Sequence, residues 1–226
     1  MPSVRPACCP LSPGTHLPTA TASRCLCPPP PAPAPGVSPA DVDLILMATS
    51  SPDDLFGSAP RVQSSLGATR AVAFDLTAAC SGFVMALVTG AQFIQAGTYC
   101  NVLVIGADAL SRYVDWRDRG TCILFGDGCG AVVLTPADPG APCGLLGLDM
   151  HTDGGGQRHL NCAFVGSPMK PLADGHASDN GSYANLAMNG QEVFKFAVRA
   201  VPAVSVRMQA WWGGTRRLGW AGLMGD

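Results

Sequence analysis

The chain has 226 residues, 47% of them hydrophobic and 13% charged, and its formal net charge is −2. That balance excludes a largely disordered chain and gives no electrostatic basis for a nucleic acid or an anionic membrane as partner. At this length one sizeable core or two small ones can be buried.

Residues 1–40 are a different material. They carry 12 of the 20 prolines, including Pro28-Pro29-Pro30-Pro31, and no acidic residue precedes Asp41. Such a stretch cannot bury enough apolar surface to fold, so a disordered Pro-rich leader is expected. The lack of acids, with Arg5, Arg24 and several Ser and Thr residues, is similar to an organellar transit peptide, although the amphipathic Arg-rich helix of such peptides is missing. A plastid address follows if the leader is a transit peptide, and a cytoplasmic one if it is not.

From Asp41 the pattern becomes regular. Val42 to Ala48 reads as a buried strand, followed by the turn-rich run Thr49 to Asp54. Ala59 to Leu66 is a short helix closed by Gly67, and Ala71 to Phe74 is the next strand. Phe83, Leu87, Ala91 and Ile94 then recur at spacings of three and four, which predicts a helix ended by Gly97. No charged side chain lies between Asp75 and Asp108, so this helix is expected to be buried. Asn101 to Gly106 is a continuous apolar strand. Strand, helix, strand, helix, strand predicts a parallel sheet covered on both faces.

Ile123 to Phe125, Ala131 to Leu134 and Leu145 to Met150 read as further short strands. Gly126-Asp127-Gly128-Cys129-Gly130 matches no phosphate-binding pattern and reads as a turn whose glycines let backbones approach closely. Residues 205–226, with Trp211-Trp212 and Arg216-Arg217, form an irregular tail.

The ten cysteines include no C-x-x-C, and free thiols in a reducing compartment are the simpler reading. His159 and Cys162 give only a weak zinc signal, and no metal site is expected. Cys80 stands apart because it falls where a strand hands over to the N-terminus of a helix. Unpaired backbone N–H groups and the helix dipole there favour a thiolate over a thiol. A cysteine at such a junction is usually small packing. What favours a nucleophile is the wording around it.

Asp75-Leu76-Thr77-Ala78-Ala79-Cys80-Ser81-Gly82-Phe83 closely resembles the nucleophile segment of the β-ketoacyl-acyl-carrier-protein synthase III family, the thiolase-fold enzymes that initiate type II fatty-acid synthesis. Ala48 to Ser51, Val104 to Asp108, Asp118 to Thr121, Phe125 to Gly128 and Met188 to Val198 are similar to that family's other motifs, in the same order. The resemblance covers roughly Asp41 to Val204. It implies an α/β fold over residues 41–204, a partial thiolase-like core made mostly of the N-terminal half of the αβαβα layers. A chalcone- or hydroxymethylglutaryl-CoA-type synthase fits the Asp118-Arg119-Gly120-Thr121 and Gly126-Asp127-Gly128 wording less well.

The resemblance implies that Cys80 attacks the thioester of an acyl-coenzyme A, usually acetyl-CoA, and holds the acyl group covalently. The Cys80 backbone N–H would supply half of an oxyanion hole. Arg119 would lie against the adenine and phosphate end of coenzyme A, and Met188, Gly190 and Phe194 would wall the pantetheine tunnel. Leu110 and Phe125 would line the acyl pocket, with Phe56 reaching the pocket of a neighbouring subunit in a homodimer. Taken alone, Arg119 reads as a solvated turn residue and the Met188–Phe194 stretch as helix packing. Malonyl-acyl-carrier protein would be the second substrate. Coenzyme A enters as a substrate thioester, and no cofactor is implied.

The departures matter as much. The Pro-rich leader stands where the family carries its first strand and helix, with a tryptophan and an arginine that grip coenzyme A. The family's His-Gln-Ala-Asn run and later asparagine, which stabilise the enolate formed on decarboxylation, have no counterpart. His16, His151, His159 and His176 all precede the place where the family's histidine falls. A truncated synthase is therefore expected, able to acylate Cys80 and nearly inactive in condensation. The alternative is a non-catalytic thiolase-like remnant that binds acyl carrier protein or a full-length subunit. Both leave apolar surface exposed.

Overall fold

The computed structural model describes residues 37–137, 145, 148–166 and 181–211, with side chains described as far as Val206 in the last helix. The readings made for the leader and for most of the tail fall outside these residues. The described residues form two compact units, one of residues 37–112 with 122–137 and the other of 113–121 with 145, 148–166 and 181–211.

The first unit is built on β1 (Leu44–Ala48), flanked in the order β2-β1-β3-β4 by β2 (Val72–Leu76), β3 (Val102–Ala109) and β4 (Asp127–Leu134). β1 pairs in parallel with β2 and with β3, whereas β4 runs antiparallel to β3. Every residue of β1 is buried. Because side chains alternate along a strand, Leu44, Leu46 and Ala48 enter one apolar cluster while Ile45 and Met47 enter the other. Helix α1 (Ala59–Leu66) covers the second cluster through Ala59 and Val62, and α2 (Gly82–Gln95) covers the first through Ala86, Phe83 and Leu87. Both faces of the central strands β1 and β3 are thus packed against a helix, as the strand–helix alternation predicts, while Val72, Phe74 and Val132 on the flanking strands stay exposed.

Small residues let α2 lie close to the sheet. A Cβ at Gly90 would stand 2.9 Å from Val102 and 3.2 Å from Leu134, and one at Gly82 would stand 3.1 Å from the Ala48 Cβ. The ring of Phe83 takes the space above Gly106 of β3 in the same way. The entry to β1 is stapled by Asp43, whose carboxylate accepts the N–H groups of Cys100 and Asn101 at 3.0 Å and pairs with Arg70 at 2.9 Å.

Several expectations are corrected. Ile123 to Phe125 is not a strand: Cys122–Leu124 is a 3-10 turn with Ile123 and Leu124 exposed, and among the described residues no strand pairs with it. The glycine run is not a turn, since Gly128 and Gly130 lie within β4 opposite Asp108 and Gly106. A Cβ at Gly126, Gly128 or Gly130 would meet nothing within 4 Å, so these glycines do not serve close backbone approach here. Leu145 and Leu148–Met150 belong to no regular element, and their apolar side chains are exposed. Helix α2 is half-buried rather than buried, with Val84 56% exposed. Cys129 is disulfide-bonded, a correction to the reading of free thiols, whereas Cys80, Cys100, Cys122 and Cys162 are in no disulfide.

The second unit contains two short antiparallel pairs. β5 (Leu160–Asn161) pairs with β8 (Ala187–Met188), and β6 (Phe164–Val165) pairs with β7 (Ser182–Tyr183). Tyr183 meets Tyr113 and Phe164 edge-on, with ring centroids 5.9 and 5.4 Å away. Helix α3 (Gly190–Trp211) follows β8, its first turn closed by Glu192 and Asn189.

Candidate active site

The parallel strands β1, β2 and β3 all end at one edge of the sheet, and the segments leaving that edge carry Thr49 to Ser58, Thr77 to Ser81 and Asp108 to Arg112. In open α/β sheets the carboxyl ends of the strands are where ligands bind.

Cys80 lies at this edge, in a 3-10 turn (Ala79–Ser81) between β2 and α2, and it is exposed. Ala79 before it has φ +45°, the only positive φ outside glycine among the described residues. Left-handed backbone at an alanine costs about 1–2 kcal/mol and persists only where the surroundings impose it. They do so here: the Ser81 N–H donates to the Ala78 carbonyl, Gly82 donates to Ala79, and Gly82 is pressed on Ala48 at the end of β1. The cysteine is presented on a sharp strand-to-helix corner.

At the same sheet edge, Asp108 closes a polar network that sequence reasoning did not single out. Its Oδ1 accepts the N–H of Ser50 at 2.7 Å, the hydroxyl of Ser51 at 2.9 Å and that of Thr49 at 3.4 Å. Thr49, Ser51, Asp53, Ser58, Asp108 and Arg112 line a small cleft here. The available signal was that Asp108 is the first charge after a long uncharged stretch, at the end of an apolar strand. Leu110 follows in a 3-10 turn (Leu110–Arg112), half-buried, and Ser111 donates N–H and hydroxyl to Asp127 at 2.9 and 2.7 Å. The Ser111 N–H and hydroxyl, with the Arg112 charge nearby, hold the Asp127 carboxyl below its ordinary range. Phe125 is half-buried, and Phe56 is 94% exposed on the 49–58 loop. The first unit therefore holds Cys80, Leu110, Phe125 and Phe56.

The second unit holds Arg119, Met188, Gly190 and Phe194. Arg119 is an exposed residue in a turn fixed by Asp115 and Asp118: Arg117 N–H donates to Asp115 at 2.9 Å and Gly120 N–H to Asp118 at 3.0 Å. Met188 is half-buried in strand β8 rather than on the helix, a correction to the helical reading, and Gly190 opens α3 with its Cα side facing the Met188 terminus. Phe194 is 67% exposed. His159 and Cys162 do not converge on a common point: His159 Nε2 accepts from Arg158, and the Cys162 thiol donates to the Ala184 carbonyl at 3.1 Å. Burial pushes the Cys162 thiol above its ordinary range. Among the described residues no group of three or more His, Cys, Asp or Glu side chains is placed to hold a metal, and no helix is long and apolar enough to cross a membrane.

Comparison with known proteins bears on the same segments. The family profile 3-Oxoacyl-[acyl-carrier-protein (ACP)] synthase III matches residues 74–154, which include Cys80, Leu110, Arg119 and Phe125. A β-ketoacyl-[acyl-carrier-protein] synthase III of Microcystis aeruginosa is 60% identical over 167 residues, 74% of this chain and 49% of that protein. The chloroplastic synthase III of Arabidopsis thaliana is 53% identical over 176 residues, 73% of this chain and 42% of that protein. The chain thus spans about half the length of the curated relatives it matches. The crystal structure of 3-oxoacyl-[acyl-carrier-protein] synthase III from Aquifex aeolicus superposes with a TM-score of 0.66 at 38% identity, over 78% of this chain and 51% of that one. The fold is accordingly a partial thiolase-like one. By sequence and by fold, the matched part of this chain is similar to the β-ketoacyl-[acyl-carrier-protein] synthase III family.

Proposed function

We propose that this chain carries the acyl-enzyme half of a condensing reaction of type II fatty-acid synthesis. The Cys80 sulfur attacks the carbonyl carbon of an acyl-CoA, acetyl-CoA first. The tetrahedral oxyanion collapses, the C–S bond to coenzyme A breaks, and the departing coenzyme A sulfur takes up a proton. The Cys80 N–H serves as one oxyanion donor, and Arg119 receives the nucleotide end. Met188, Gly190 and Phe194 flank the pantetheine arm, while Leu110 and Phe125 bound the acyl group. Phe56 completes the pocket of a second copy, and the core of 41–204 acts as one catalytic domain. Malonyl-acyl-carrier protein is the second substrate, and the site of action is the plastid or the cytoplasm.

The observation that carries this reading is an exposed cysteine on a strained strand–helix corner, inside the residues matched by the synthase III profile. No His-Gln-Ala-Asn run occurs in the 226 residues. Condensation by these residues alone is therefore expected to be slower by about 10²–10³ for each missing oxyanion donor. The test is incubation with radiolabelled acetyl-CoA: one acetyl group per chain is expected, absent from Cys80→Ala. Label that remains on Cys80→Ala rules out Cys80 as the nucleophile.

A second reading, a non-catalytic partner of acyl carrier protein or of a full-length subunit, is favoured by apolar side chains left exposed on both long helices, Val84 on α2 and Phe194, Phe196 and Val201 on α3. Purified chain that takes no acetyl label yet binds holo-acyl carrier protein would decide for it.

A further inference from the structure

We infer that Asp108 is a positioning residue that locks the 49–58 loop to the end of β3, setting Phe56 and Leu110 so that the acyl pocket discriminates by chain length. The inference rests on the acyl-enzyme reading given above.

The clamp begins where the pairing of β1 with β3 stops, on residues of β3 that still pair with β4. The β1–β3 pairing ends at Ala48 opposite Gly106, so the contacts beyond it are not needed to register the strands. Asp108 Oδ1 gathers the Ser50 N–H and the Ser51 and Thr49 hydroxyls, and the Ser51 oxygen in turn accepts the Ala109 N–H at 2.7 Å. Ser51 is buried, so its two bonds are protected from water. A second brace crosses the same gap, with Arg112 paired to Asp53 at 2.7 Å.

Leu110 and Phe56 are both bracketed by anchored neighbours. Leu110 stands between Ala109, held by Ser51, and Ser111, held by Asp127. On the loop, Asp53 N–H donates to the Ser58 hydroxyl, and the Ser58 N–H donates to Asp75. Only residues 54–57 remain between these anchors, and there the Phe56 N–H is taken by the Asp54 carboxylate at 2.9 Å and Gly57 turns at φ +105°. So many fixed bonds around a 94% exposed phenylalanine hold an apolar side chain in water, which local stability alone does not reward. Asp108 and Ser51 together join the two segments: Asp108 accepts from residues 49–51 of the loop, and the Ser51 hydroxyl oxygen accepts the Ala109 N–H next to Leu110.

The test uses the full 226-residue chain with Asp108→Ala and Ser51→Ala, and with Asp108→Asn and Ser51→Thr, which keep the acceptor or the hydroxyl. Two readouts are taken: hydrogen exchange across residues 50–58 and 109–111, and Cys80 acylation by acetyl-, butanoyl- and hexanoyl-CoA followed by intact mass. Asp108→Ala should speed exchange at Ser50 by about ten- to a hundredfold, the size of a lost bond to a charged acceptor, and Ser51→Ala should speed exchange at Ala109 by about two- to tenfold, the size of a lost bond to a neutral hydroxyl. They should also change the hexanoyl-to-acetyl ratio by about threefold or more, with both effects largely restored by Asp108→Asn and Ser51→Thr. If Asp108→Ala does not fold, the smaller Ser51→Ala change carries the test. Exchange that rises while the chain-length ratio stays constant overturns the positioning role, and so does exchange that does not rise. Wild-type chain that takes no acyl group from any donor instead brings down the acyl-enzyme reading and the selection role with it, while faster exchange in Ser51→Ala still establishes the lock.

Discussion

Asp75 holds the start of α1 from the neighbouring strand β2: its Oδ1 accepts the Ala59 N–H at 2.6 Å and its Oδ2 accepts the Ser58 N–H at 2.7 Å. Ser58 occupies the N-cap position yet makes no side-chain cap bond. The carboxylate of a residue in β2 does the capping instead, where an anion is also favoured by the helix dipole. One residue thereby ties α1 to the strand that leads into Cys80.

Asp75→Ala should cost about 2–3 kcal/mol, the range expected for losing charge-assisted bonds to two N–H groups that have no other acceptor. Asp75→Asn, which keeps one oxygen acceptor, should cost less. Urea unfolding gives both values, and equal stability of Asp75→Ala and the parent chain would contradict the capping role.

Gly90→Val should destabilise by about 2–3 kcal/mol, because the added atoms enter space already held by Val102 and Leu134. Gly90→Ala should be milder, since its gain of about 1 kcal/mol in helix propensity offsets part of the clash. Thermal melts of the two variants should rank the parent chain first and the valine variant last.

At Ala79, with φ +45°, the backbone conformation itself is tested. Ala79→Val should cost about 1–2 kcal/mol because a branched side chain fits left-handed backbone worst. Ala79→Gly should change stability by less than about 1 kcal/mol, relief of strain being offset by the larger entropy of the unfolded chain. An equal loss in both variants would mean that contacts of the methyl group matter here rather than φ.

The turn that carries Arg119 should survive acid. The hydroxyl of Thr121 chiefly, with the N–H groups of Gly120 and Thr121, holds the Asp118 carboxyl below its ordinary value of 3.8. A lowered value means that the ionised form favours the folded turn, so its contribution is complete above pH 3.8 and is lost only as the pH falls further. Carboxyl NMR titration should give a midpoint under 3.8, moving up toward that value in Thr121→Val.

The order of β1, α1, β2, α2 and β3 was legible in the sequence because each signal is local. Apolar runs, a 3.6-residue period, and glycines at 67 and 97 that take positive φ after each helix depend only on neighbouring residues. The motif around Cys80 was legible for the same reason. Ile123-Leu124-Phe125 and Leu145–Met150 misled because apolar composition marks a strand only where another strand is there to pair with it, which is a property of the assembled sheet. The same holds for Asp75 and Asp108. Their separations from their partners, 16 residues to Ala59 and 57 to Ser51, place these bonds beyond any local pattern. The sequence by itself thus determined the order of β1 to β3 with α1 and α2, and the place of Cys80 between β2 and α2. Tertiary structure alone decided what grips the loops around it, because hydrogen bonds between distant segments form only once the sheet has brought their ends to one edge.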